Sequence, residues 1–175
     1  MQLSNKTAYI TGGSKGIGFG IAKALVEQGM KVAISSRNLE TAQKVAKSLG
    51  KDDMVFAVQS DARDMQSELK AVKDIVAHFG KLDVLIANAG VGHFAPIDEM
   101  TESQWKEIID TNLTGVFNSV KASIDALKKT EGYIITIASL AGANFFEKAS
   151  AYNASKFGVV GFTQAIMLDL RKYGI

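Results

Sequence analysis

The chain has 175 residues, of which 47% are hydrophobic and 22% charged, with a formal net charge of +2; this is the size and balance of one globular domain with a substantial core. So small a net charge, without long runs of one sign, argues against a nucleic-acid footprint, and no apolar stretch is long enough to span a bilayer. The lack of cysteine excludes a disulfide framework, a zinc–thiolate site and a thiol nucleophile, and fits a cytoplasmic location.

Met1–Lys6 runs straight into a strand and does not read as a signal peptide. Lys6–Thr11 is a short apolar run ending at glycines, the pattern of a buried strand. Ile17–Gln28 follows as a helix, with Ile17, Ile21, Ala24 and Leu25 on one face and Gly29 closing it. Lys31–Ser36 reads as a strand, Leu39–Leu49 as a helix ended by Gly50, and Met54–Gln59 as a strand. Asp64–Phe79 is a helix with Leu69, Val72 and Val76 on one face, stopped at Gly80. Leu82–Ala87 is the fourth strand. Thr101-Glu102-Ser103-Gln104 has the form of a capping box and opens a long helix toward Leu127. Tyr133–Ala138 is a fifth strand and Tyr152–Lys172 a last helix.

Apolar strands separated by helices predict an α/β fold, a doubly wound, Rossmann-like parallel sheet covered on both faces. With no repeat, linker or low-complexity tract, residues 1–175 are expected to form a single domain.

The run Thr11-Gly12-Gly13-Ser14-Lys15-Gly16-Ile17-Gly18 lies between a strand and a helix, where a dinucleotide loop belongs. Gly12 can make the tight turn. Gly16 and Gly18 can let the backbone approach a pyrophosphate at the helix N-terminus. The second strand ends at Ser35-Ser36-Arg37. An NAD site calls for a carboxylate there to hold the ribose 2′-hydroxyl. Arg37 instead suits a 2′-phosphate, and Lys15 can reach the same group, so NADP(H) is favoured over NAD(H). Tyr152 and Lys156, at i and i+4, share a helix face. A phenol beside an ammonium can titrate low enough to pass a proton near neutral pH.

With these motifs in place, the chain resembles the short-chain dehydrogenase/reductase family from about Leu3 to Ile175. Thr11–Gly18 resembles the family's cofactor loop, and Asn88-Ala89-Gly90 its turn after the fourth strand. Asn112, Ser139, Tyr152 and Lys156 match its catalytic tetrad. The resemblance implies hydride transfer between NADP(H) and a carbonyl or alcohol, without a metal. Tyr152 would be the general acid or base. Lys156 would lower its pKa and hold the nicotinamide ribose, Ser139 would polarise the substrate carbonyl, and Asn112 would hold a water in a relay to Lys156. Asp61 would bond the adenine ring. Gly12, Ser14, Lys15, Gly16, Ile17, Gly18, Ser36, Arg37, Asp61, Ala62, Asn88, Ala89 and Gly90 would bind cofactor, together with Tyr152 and Lys156. The resemblance also implies strand order 3-2-1-4-5 and a homo-oligomer built on the fourth and last helices, where Trp105, Phe117, Phe157 and Phe162 lie. His93 reads as a loop histidine and His78 as one that complements a helix end. Ala143, Phe145 and Phe146 suggest a partly apolar substrate pocket.

Members of the family continue beyond the helix that ends this sequence, with further strands and a substrate-covering segment. Measured against them the chain is C-terminally incomplete after its fifth strand and following helix. Impaired turnover is therefore one expectation, and a non-catalytic dinucleotide-binding or assembly module is the alternative to an enzyme.

Overall fold

The structure, a computed structural model, describes residues 3–50 and 53–175; Met1 and Gln2, at the head of the segment read as entering the first strand, lie outside them. Strands β1 (Thr7–Ile10), β2 (Lys31–Ser36), β3 (Val55–Gln59), β4 (Val84–Ala87) and β5 (Tyr133–Thr136) form one sheet in the order β3-β2-β1-β4-β5. Every pairing is parallel, with Ala8 opposite Val32 and Val84, and Ile86 opposite Ile135. Helices α1 (Gly16–Glu27) and α2 (Leu39–Leu49) belong to one side of the winding. Helix α3 (Met65–Phe79), α4 (Glu102–Ile109), α5 (Gly115–Lys128) and α6 (Ser150–Leu170) complete the chain.

The alternation of side chains along each strand divides the core in two. Ala8, Ile10, Val32, Ile34, Val84 and Ile86 pack with Ala22 and Ala46 of α1 and α2. Tyr9, Ala33, Leu85 and Ala87 face α3, α5 and α6, where Val72, Ile75, Val116, Val120 and Val159 fill the opposite core. Strand and helix boundaries follow local chemistry. Asn38 and Asp64 cap α2 and α3 by accepting from the Thr41 and Gln66 amides, and Gly80 ends α3 in a left-handed conformation. The capping box at Thr101 forms, with Gln104 answering the Thr101 amide.

One element differs from the sequence expectation. The helix read as continuous from Thr101 toward Leu127 is interrupted by a π-turn at Asp110–Thr114, in which the Gly115 amide bonds the Asp110 carbonyl. The extra residue turns Asn112 wholly inward and lays the start of α5 against Ala62. A Cβ on Gly115 would stand 3.1 Å from the Ala62 side chain, and Asn118 Nδ2 donates to the Ala62 carbonyl at 2.8 Å. Such turns are a frequent device at functional sites.

Candidate active site

The winding reverses between β1 and β4, since β2 and β3 lie on one side of β1 and β4 and β5 on the other. At that switch point, beyond the carboxyl ends of the strands, ligands bind in open α/β sheets. A cleft of about 720 Å³ lies there. Gly12, Ser14, Lys15, Gly16 and Ile17 line it from the β1–α1 loop, and Ser36 and Arg37 from the tip of β2. Asp61 and Ala62 line it after β3, Asn88, Ala89 and Gly90 after β4, and Tyr152 and Lys156 on α6. Gly18, Asn112 and Ser139 support the cleft from outside its lining.

The glycine loop is shaped by its neighbours. Gly12 and Gly16 have φ of 63° and 57°, a region that favours glycine. Open space surrounds the missing side chain of Gly16, whereas a Cβ on Gly18 would come within 2.5 Å of Asn88 Nδ2 and 2.9 Å of the Gly12 carbonyl. The absence of a side chain at Gly18 thus allows close packing of the start of α1 against Asn88. Asn88 donates to the Thr11 carbonyl at 2.8 Å, while the Thr11 hydroxyl accepts from the Asn88 and Ala89 amides at 3.0 Å each. These bonds lock the β1 and β4 loops together.

At the adenosine end, Lys15 and Arg37 are exposed cations beside the cleft. Asp61 lies between β3 and α3, but both of its carboxylate oxygens engage the Arg63 guanidinium, with Nε at 3.0 and 3.1 Å. The Arg63 hydrogen bonds hold the Asp61 carboxyl below its usual range, against the opposing effect of partial burial. Arg63 also lines the cleft. Its spacing of two residues from Asp61, short enough for a local pair, was the available sequence signal. Asp64, not Asp61, caps the following helix.

At the other end, the Lys156 ammonium lies between α6 and β5. It donates to the Ile137 carbonyl at 2.7 Å and stands 5.7 Å from the centre of the Tyr152 ring. Lys156 is only 6% exposed, and burial lowers its pKa from the ordinary lysine value. Phe94 packs against Tyr152 with ring centres 5.6 Å apart. A Cβ on Gly92 would fall 3.1 Å from the Phe94 ring. Nothing in the local sequence signals this aromatic wall. Ser139 accepts from the Ala141 amide at 3.1 Å, which leaves its hydroxyl proton to be donated elsewhere. Asn112 accepts from the Val91 amide at 2.8 Å and donates to the Val91 carbonyl at 2.9 Å and to Ser155 Oγ at 3.2 Å. It therefore fixes the end of the Asn88–Gly90 turn to the π-turn. His93 pairs with Glu107 at 2.8 Å, and His78 stacks on Phe56. Among the described residues no cluster of His, Asp and Glu could hold a metal ion, and no helix is long and apolar enough to cross a membrane.

Known proteins resemble this chain along nearly its whole length. The sequence is 38% identical to a 3-oxoacyl-(acyl-carrier-protein) reductase of Staphylococcus aureus, an alignment covering 97% of this chain and 70% of the relative. It is 33% identical to the trans-4-hydroxycyclohexanecarboxylate dehydrogenase of Sinomonas cyclohexanicum, covering 99% and 70% of the two chains. The solved alcohol dehydrogenase of the archaeon Thermococcus sibiricus, complexed with 5-hydroxy-NADP, superposes with a TM-score of 0.89 at 32% identity, over 94% of this chain and 71% of the other. The family profile described as short chain dehydrogenase matches residues 6–175. With the parallel sheet, the glycine loop at its switch point and relatives that are reductases and dehydrogenases, the chain belongs to the short-chain dehydrogenase family of oxidoreductases.

Proposed function

We propose that this chain binds NADP(H) and interconverts a carbonyl and an alcohol by hydride transfer, with Tyr152 passing the proton. The observation that carries this reading is a single cleft running from the glycine loop and Arg37 to Tyr152 and Lys156. Its residues suit a nicotinamide dinucleotide: open space at Gly16, a helix N-terminus for phosphate, and cations without a carboxylate at the tip of β2. The bound dinucleotide supplies the hydride. The chain's own residues do the rest. The Tyr152 phenol, on the wall of the cleft, passes the proton to or from the substrate oxygen, with the Lys156 ammonium 5.7 Å from its ring centre. Ser139, its oxygen held by the Ala141 amide, keeps its hydroxyl proton available to polarise the substrate carbonyl. Asn112 holds Val91, and with it the wall that carries Phe94.

Arg37 and Lys15 favour the 2′-phosphate, and the T. sibiricus enzyme, solved with an NADP derivative, supports the same cofactor class. The exposed Trp105, Phe117 and Phe157 on α4, α5 and α6 support self-association. Two measurements test the reading. NADPH is expected to bind more tightly than NADH, and Arg37→Glu to weaken NADPH by about tenfold or more while sparing NADH; tighter NADH binding would overturn the preference. In a carbonyl-substrate panel, Tyr152→Phe is expected to lower turnover by about 10²–10⁴-fold while NADPH affinity is kept. Cofactor binding with no turnover on any carbonyl would favour a binding module instead.

A further inference from the structure

A buried carboxyl that the proposed chemistry does not use lies beneath the adenosine half of the cleft. Glu68, on α3, is completely inaccessible to solvent. Its Oε1 accepts from the Ser60 hydroxyl at 2.6 Å and from the Tyr9 phenol at 3.0 Å. Tyr9 Oη also lies 3.2 Å from Ser35 Oγ. The phenol is the donor in both contacts, its one proton shared between Oε1 and the longer contact to Ser35 Oγ. Ser35 Oγ in turn accepts from the Gly12 amide at 3.3 Å. A second branch has the same form. Ser60 spends its proton on Oε1, so Ser67 must donate across their 3.2 Å contact, and Ser67 Oγ accepts from the Asp61 amide at 3.0 Å. Both branches start at a backbone amide on the rim of the cleft, pass through two hydroxyls, and end on the same oxygen.

The other oxygen bears on the protonation state. Oε2 is buried without a hydrogen-bond partner, and the nearby Ser119 hydroxyl gives its proton to the Gly115 carbonyl at 2.8 Å. An ionised Glu68 would leave a buried charge half uncompensated. Protonation removes that charge and leaves Oε1 as the acceptor. Burial also pushes this carboxyl above its usual range. The titratable groups facing it are Tyr9 from β1, whose phenol is itself raised by burial, and Asp61 after β3; α5 contributes the Ser119 hydroxyl.

We propose that Glu68 is a positioning residue, a neutral carboxylic acid whose Oε1 holds the Gly12 loop and the Asp61 turn at fixed spacing around the adenosine half of the cleft. The proposal rests on the cofactor reading above for its ligand, but its geometry can be tested in the ligand-free protein. Glutamine keeps an uncharged carbonyl acceptor at Oε1, so Glu68→Gln is expected to keep NADPH affinity within about twofold, whereas Glu68→Leu loses about tenfold. Should the leucine variant fail to fold, the branches separate cleanly. Tyr9→Phe is expected to move the Gly12 amide resonance and spare Asp61, Ser67→Ala to do the reverse, and each to weaken NADPH by about threefold or more. The ¹³C resonance of the Glu68 carboxyl should be that of the protonated acid at pH 7. A glutamine variant as weak as the leucine variant, an ionised carboxyl resonance, or branch variants that move neither amide would overturn the proposal. Wild-type protein that binds no NADPH would overturn the cofactor reading alone, since the resonances still report on Glu68.

Discussion

Single side chains at this site are constrained from two directions. Gly18 faces the space that Asn88 fills, so Gly18→Ala must push Asn88 off the Thr11 carbonyl or lift the start of α1. Overpacking of this kind costs about 1–3 kcal/mol. Urea unfolding should show that loss together with weaker cofactor binding, and an unchanged midpoint would show that the loop yields freely. Glu68 and Asp83 give stability opposite pH dependences. The folded state raises the Glu68 pKa, so its contribution is present at low pH and is lost as pH rises through the raised value. Glu68→Gln should remove that limb from a plot of stability against pH. Asp83 is buried, which alone would raise its pKa, but the Thr7 amide at 2.8 Å, Lys6 at 2.9 Å and Lys81 at 3.1 Å prevail and lower it. Its contribution is present above the usual aspartate range and is lost as pH falls through the depressed value. Asp83→Asn should destabilise by about 1–3 kcal/mol at neutral pH and flatten the acid limb of the unfolding curve.

At the scale of elements, the strands and most helices were legible because their causes are local. Lys31–Ser36 and Leu39–Leu49 have the predicted limits, set by apolar runs and by Asn38 and Gly50 as punctuation. The glycine loop and the Tyr152/Lys156 face were legible for the same reason, as fixed spacings on a strand, a turn and a helix. The π-turn was not. Its cause is the meeting of Asn112 with Val91, 21 residues away, and no periodicity within 101–128 encodes that contact. The Glu68 network escaped similarly: it gathers residues from β1, β2, the end of β3 and α3, each unremarkable in its own segment. Asn112 joins α4 and α5 to the β4 turn, so Asn112→Ala is expected to cost about 2 kcal/mol and to speed amide exchange at Val91 in hydrogen–deuterium measurements. Unaltered protection there would show that the π-turn holds without its side-chain anchor.

For the whole molecule, the distribution of exposed apolar surface is uneven. Trp105, Phe117 and Phe157 are 38–46% exposed on neighbouring helices, and Phe117 also packs on Phe162 of α6. A charge at Phe117 tests self-association on this face, with Phe117→Glu expected to shift sedimentation velocity toward the monomer; an unchanged profile would place any contact elsewhere. Strand β5 lies at one end of the strand order, and its Tyr133 and Ile135 are about half exposed. The π-turn has a consequence for the phase of the two helices it joins. An α-helix advances about 100° per residue, and the π-turn takes up one residue more than an α-helical turn, so straightening the segment into continuous α-helix at the same length would rotate α5 by roughly that angle against α4. Asn112 could then face Val91, or Asn118 could face Ala62, but not both. The π-turn is accordingly a phase adjuster, which lets the β4 turn and the segment after β3 be held from one pair of helices.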